Sequence, residues 1–249
     1  MGDTRIGTPS ARRRAAYALA FAALCATLVA AVLIPSAGAS NAKVIGKTKH
    51  TPNPSCPAKK TGGCSAVGSV TGFMSRADGE RAPFHVFKDG SIVAWAIDVS
   101  KPSKDERNVF QTLFHNKAFG GHPSARISVV KSQGHHKYKL VHESPPVDLN
   151  STLGRKQIFT LSKPLRVRKG QVIALTTPTW ATAFAAPLNA SDNRWRASRN
   201  KKRCNVDKDH RRNIEASRPH QKLGSTRPYA CKYSGARLVY WAYFVPRKK

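Results

Sequence analysis

Acidic residues are scarce: 13 Asp and Glu stand against 43 Lys and Arg in 249 residues, a formal charge of +30. Glycosidase chemistry needs two carboxyl groups about 5 to 9.5 Å apart, and no E-x-D-x-E pattern is present to supply them. Asp98 alone falls in a strongly predicted strand, where an isolated acid reads as a turn or edge group. There is no G-x-S-x-G elbow for a serine nucleophile and no C-x-x-C pair for structural zinc. No repeat of fixed period is visible, and no apolar periodicity runs long enough for an extended amphipathic helix. These absences remove the most recognisable hydrolase and zinc classes.

What is present begins with an address. Arg12, Arg13 and Arg14 precede an uncharged run, Ala15 to Ile34, followed by Pro35 and Ala37-Gly38-Ala39. That order predicts a secretory signal peptide over 1–39 cleaved after Ala39, because Pro35 ends the helix just before the small residues a peptidase requires. The competing reading is an uncleaved membrane anchor over 15–34, since about 20 residues can cross a hydrocarbon core of roughly 30 Å. Losing Arg5, Arg12, Arg13, Arg14 and Asp3 would lower the formal charge only to +27. An exported chain of that charge attracts polyanions outside the cell. The expected partner is an anionic glycan or cell-wall polymer, with nucleic acid as an alternative and a membrane only if the leader stays attached.

Four cysteines remain beyond the leader: Cys56, Cys64, Cys204 and Cys231. An even number in a chain addressed to an oxidising compartment predicts disulfides. Of the three pairings, the local one, Cys56 with Cys64 and Cys204 with Cys231, is favoured because each pair brackets a loop-like segment. Neither a metal nor a cofactor is expected.

Residues 40–66, rich in Lys, Pro, Gly, Ser and Thr, read as a flexible lead-in. The domain is expected over 67–249, with a basic insertion at about 189–231. Short apolar or alternating runs predict strands at Val70 to Met74, Ser91 to Val99, Ala125 to Lys131, Lys137 to His142, Gln157 to Leu161, Gln171 to Thr176 and Arg237 to Val245. The strand at Ser91 to Val99 is expected to be central, with Val93, Trp95, Ile97 and Val99 on one face. One short helix is predicted at Asp105 to Phe114, capped by Ser103. Many short strands with Gly and Pro turns define an all-β, two-sheet β-sandwich, expected to be a jelly roll. In its leader, its "FTLSKPLRVRKGQVIAL" strands and its cysteine-bracketed insertion before "YWAYFV", the chain resembles secreted bacterial β-sandwich proteins of lectin-like, jelly-roll architecture. The resemblance spans Val67 to Val245 and implies the sandwich fold; it brings no catalytic motif.

"NRWRASRNKKRCNVDKDHRR", from Asn193 to Arg212, holds nine Lys or Arg and only two acids. Arg194, Arg196, Arg199, Lys201, Lys202 and Arg203 are the candidate ligand-binding cations, with Trp180 and Trp195 as stacking groups for a sugar or base. Trp95 and Trp241 read as core, and part of Asn200 to Lys222 is expected to be disordered. His135 and His136 are adjacent, whereas a cupin-like metal site would use H-x-H, so they read as solvated hairpin residues. His115 and His122 could meet in a loop. A lyase acting on acidic polysaccharide is the enzymatic alternative, for which Arg237, Tyr240, Tyr243, His142 and Gln157 are the available groups.

Overall fold

The computed structural model describes residues 42–56, 64–204 and 221–248, so the leader and the anchor alternative lie outside the described residues. In chain order the strands are β1 Lys43–Ile45, β2 Val67–Ala77, β3 Glu80–Arg81, β4 Gly90–Asp98, β5 Ser124–Ser132, β6 Lys137–Glu143, β7 Val147–Asp148 and β8 Lys156–Val167. They continue with β9 Val172–Ala181, β10 Phe184–Ala185, β11 Arg194–Ala197, β12 Thr226–Pro228, β13 Cys231–Ser234, β14 Arg237–Leu238 and β15 Tyr240–Pro246. A single α-helix among the described residues, α1 Lys104–Leu113, separates β4 from β5, and none of the described helices is long and apolar enough to cross a membrane.

The strands form an all-β sandwich of antiparallel sheets. The smaller sheet has the order β1-β15-β4-β8; the larger runs β12-β6-β5-β9-β2-β11-β13, with β3 paired to β2 and β7 to β5; β10 and β14 make a separate ribbon. Six of the seven predicted strands are present as single strands, and β4 is interior to its sheet; the seventh, Arg237 to Val245, is divided at Val239 into β14 and β15, which lie in different sheets. Pro164, which cannot donate to a ladder, falls in β8 at the sheet edge.

One facial assignment in β4 is corrected. Both ladders flanking it skip Val93: Ile92 pairs with Leu165 and Phe244, and Ala94 pairs with Thr160 and Tyr243. The extra residue is a β-bulge, which shifts alternation by one. Ile92 therefore joins Trp95, Ile97 and Val99 in the main core, and Val93 does not. The core is closed from the β15 side by Tyr240, Ala242 and Phe244. Trp95 is fully buried as expected; Trp241, also buried, faces the other way into a small cluster with Ala96, Ala185 and Val239.

The lead-in is also corrected. The sandwich takes in Lys43–Ile45 ahead of Val67, because β1 pairs with β15 and puts Ile45 in the core. Arg237 reinforces this join from inside: its Nη1 donates to Thr48 Oγ1 at 2.8 Å and its Nη2 to the Gly46 carbonyl at 3.4 Å. Three residues with one buried side chain are too short a signal for alternation to reveal.

The larger sheet cannot be flat. Its edge strands β12 and β13 are joined through Tyr229 and Ala230 alone, a span of at most about 11 Å. Seven flat strands would separate those edges by roughly 29 Å at 4.8 Å per gap. The sheet therefore curls until its edges nearly meet.

Helix α1 starts where the sequence placed it. Ser103 Oγ accepts from the Glu106 N–H at 3.2 Å, and the Glu106 carboxylate accepts from the Ser103 N–H at 2.7 Å, a reciprocal capping box. Glu106 also accepts from the Cys64 N–H at 2.5 Å, tying the helix start to the first disulfide. Ser103→Ala is expected to cost about 1 kcal/mol. A urea midpoint unchanged from wild type would refute that role for the cap.

Both disulfides have the local pairing, Cys56–Cys64 and Cys204–Cys231. Such bonds suit an oxidising, extracellular environment.

Candidate functional site

The segment expected to be an appended basic loop is part of the large sheet. Its first portion is β11, which pairs with β2 on one side and β13 on the other. Along Arg194–Ala197 burial alternates, so Trp195 and Ala197 point into the core while Arg194 and Arg196 point away from it. Trp195 is 4% exposed and stacks on Tyr233 with ring centroids 4.7 Å apart. It is therefore no ligand platform. Trp180 is fully buried against Phe110 and donates its indole N–H to the Gly121 carbonyl at 2.8 Å. Both stacking assignments are overturned: flanking arginines look like a surface, but in a strand every second side chain faces the other way.

The cations fare differently. Arg196 Nη1 donates to the Tyr229 carbonyl at 3.1 Å, at the seam where the curled sheet nearly closes. Lys232 sits directly across from Arg196 on β13, and like charges opposite one another are unfavourable without an anion. His136 Nε2 lies 3.5 Å from Arg196 Nη2. Arg196, followed by partial burial, His135 and Lys232, holds the His136 pKa below its ordinary value, so the neutral ring can accept from the guanidinium at pH 7.

After β11 the chain turns. Ser198 is buried and exchanges two bonds with Thr71: its N–H donates to the Thr71 carbonyl at 2.9 Å and its Oγ accepts from the Thr71 N–H at 3.0 Å. Arg199 Nη1 donates to the Tyr233 hydroxyl at 3.2 Å. Lys201–Arg203 form one 3-10 turn, closed by the Arg203 N–H on the Asn200 carbonyl at 2.8 Å, and expose all three cations. Cys204 then bonds to Cys231 at the start of β13. Both sulfurs lie close to the Asn200 carbonyl oxygen, at 3.6 and 3.4 Å; neither carries a hydrogen, so these are packing contacts. Most of the stretch expected to be disordered, residues 205–220, lies outside the described residues, while Gln221 beyond it is buried and donates to the Tyr138 and Ser225 carbonyls at 2.8 Å each.

Ser198, Arg199, Asn200, Arg203, Arg227 and Pro228 line a recess of about 350 Å³. Arg227 was missed by sequence reasoning. It is an isolated cation beside Pro228 in an edge strand of three residues, and only the curl brings it opposite Arg199 and Arg203. Burial pushes its pKa down, the mark of a guanidinium deprived of part of its water. Lys232 was missed because it meets Arg196 only through the β11–β13 ladder, which the sequence did not reveal. No carboxylate lines the recess among the described residues.

Other candidates do not assemble. The five groups considered for a lyase are spread over β6, β8, β14 and β15 in three different sheets, and Tyr240 is spent inside the core, where its hydroxyl donates to the Ile173 carbonyl at 3.0 Å. Asp98 faces Lys156 across the β4–β8 ladder, where burial raises its pKa and Lys156 partly opposes that rise. His115 and His122 do share a cavity of about 460 Å³ with Gln111 and Thr112. His122 Nδ1 lies 3.2 Å from Asn150 Nδ2, and among the described residues no group of three potential metal ligands occurs.

The fold and surface together define a disulfide-bonded β-sandwich with a polycationic seam on its curled sheet. No family model, curated protein or solved structure matches the chain.

Proposed function

We propose that the chain is an exported binding protein without catalytic chemistry, which holds an anionic glycan or wall polymer along the seam formed by β6, β11, β12 and β13. The observation that carries this reading is that Arg199, Arg203 and Arg227 line one recess, while Lys201 and Lys202 lie on the turn that carries Arg203 and Arg196 faces Lys232 across the neighbouring β11–β13 ladder. Gathering like charges in one place costs folding free energy through mutual repulsion. A polyanion relieves that cost, and release of its counterions adds to the binding. Burial of Trp180 and Trp195 removes the stacking groups expected for a sugar or a base alike, so recognition falls to the cations.

Net charge alone could hold a protein on a polyanion, so the test compares sites of equal charge. Lys201, Lys202 and Lys232 changed together to Gln should lower the salt needed for elution from heparin, reducing the log–log salt slope by roughly 2. The same change at Lys88, Lys163 and Lys248, exposed positions outside the seam, should leave the slope nearly intact. Equal losses from the two triple variants would mean that binding is diffuse and the seam is not a site.

A further inference from the structure

Resting on the reading of the seam as a polyanion site, we propose that His136 is a contact residue of that site and takes up a proton as the polyanion binds. The protein then holds its polymer more tightly in acidic surroundings.

The fold sets one titratable ring among fixed cations. His136 Nε2 lies 3.5 Å from Arg196 Nη2, and Lys232 stands directly across from Arg196 on β13, so both cations leave the sheet on the same face. The turn that carries the ring is tied across the seam: the His136 carbonyl accepts from the Tyr229 N–H at 2.7 Å, and the Tyr229 carbonyl accepts from Arg196 Nη1 at 3.1 Å. Gly134, His135 and His136 all have left-handed backbone, with φ of 81°, 45° and 57°. Histidine adopts that conformation at a cost, which these contacts across the seam offset. His136 and Lys232 are both exposed, so a polymer lying on the seam reaches them.

The charges acting on the ring are Arg196 from β11, Lys232 from β13 and His135 from its own turn, and no carboxylate of the described residues is among them. The phenols of Tyr138 and Tyr229 have pKa values raised by burial and stay neutral. In the free protein the neutral ring accepts from Arg196; a second proton would set an imidazolium against a guanidinium with nothing between them. A bound oxyanion changes this, because one oxygen can accept from both His136 Nε2–H and Arg196 Nη2–H while its charge offsets those of Arg196 and Lys232. Proton and polymer therefore favour each other, each raising affinity for the other by the same factor. The sign follows. The free protein holds the His136 pKa below its ordinary value and the bound anion raises it, so affinity increases as pH falls between the bound and free values. Below the free value His136 is charged in both states and the gain is complete.

The experiment measures the affinity of the full chain for dextran sulfate, whose sulfate esters keep their charge throughout, at one ionic strength. Wild type should bind about tenfold more tightly at about pH 5 than at about pH 8. Calorimetry at about pH 6 in two buffers of different ionisation enthalpy should show a proton taken up on binding. His136→Asn, a residue that tolerates left-handed backbone, should lose that proton uptake and most of the gain. His115→Asn, in the separate cavity beside His122, should keep both. A gain undiminished in His136→Asn, an equal loss in His115→Asn, or wild-type affinity that stays flat with pH while dextran sulfate is still bound overturns the proton coupling but not the seam. Failure to bind dextran sulfate at any pH overturns the seam reading itself.

Discussion

Trp195→Ala should lower stability by about 3–5 kcal/mol, the usual cost of emptying a large aromatic site in a core. The side chain is 4% exposed, stacks on Tyr233 and meets Phe184 edge-on at 6.1 Å. Gly72 has its absent Cβ position 2.9 Å from the indole ring, so the neighbouring strand has already been thinned to admit it. Urea denaturation of the variant checks the magnitude, and a second measurement separates fold from ligand. Under conditions where the variant remains folded, its affinity for a polyanion should match wild type, because Arg194 and Arg196 face away from the cavity left behind. Lost affinity in a folded protein of near-normal stability would mean that Trp195 touches ligand, contrary to its position.

Arg126→Met should destabilise by a similar amount at pH 7, about 3–5 kcal/mol, through the buried Glu143 carboxylate it leaves without its partner. Glu143 Oε1 and Arg126 Nη1 form an ion pair at 3.0 Å with side chains only 18% and 9% exposed. Arg126 Nε and Glu143 Oε2 have no hydrogen-bond partner, so the pair is incompletely satisfied even when intact. Desolvation dominates at both ends: it raises the Glu143 pKa, with Arg126 partly opposing, and lowers that of Arg126, with Glu143 partly opposing. Breaking the pair is therefore costly, but removing it whole is not. The double variant Arg126→Met with Glu143→Leu should match or exceed wild-type stability.

The pH dependence has a definite sign. A carboxyl whose folded pKa is raised opposes folding while it is ionised. Wild type should therefore gain on the double variant as pH falls through that raised value toward the unfolded value near 4.5, and gain nothing further below it. Wild type losing ground to the double variant over that interval would contradict the assignment of desolvation as the larger effect.

Which features could be read without coordinates follows from the range of the interactions behind them. Six strands and one helix were legible because period-2 alternation and a capping box are written within a few consecutive residues. Cysteine pairing was legible because each pair closes its own short excursion. The same local reading failed at Val93, where one inserted residue reverses every later face, and at Trp195, where basic neighbours concealed an inward side chain. It also failed for β1, whose only buried side chain is Ile45. Five of the proposed seam cations lie close together in the chain, so their charge was visible, but which of them would line a recess was not.

Local chemistry in the sequence by itself determined the all-β class, the helix start, the disulfide pairing and the strongly cationic character of the chain. Tertiary structure alone decided which of those cations share a site. Arg227 is 24 positions from Arg203 and Arg199 is four from it, and no local periodicity relates all three. They meet because Tyr229 and Ala230 are too few residues to span a flat seven-stranded sheet, so closure of the curl brings its two edges, and the charges they carry, to the same place.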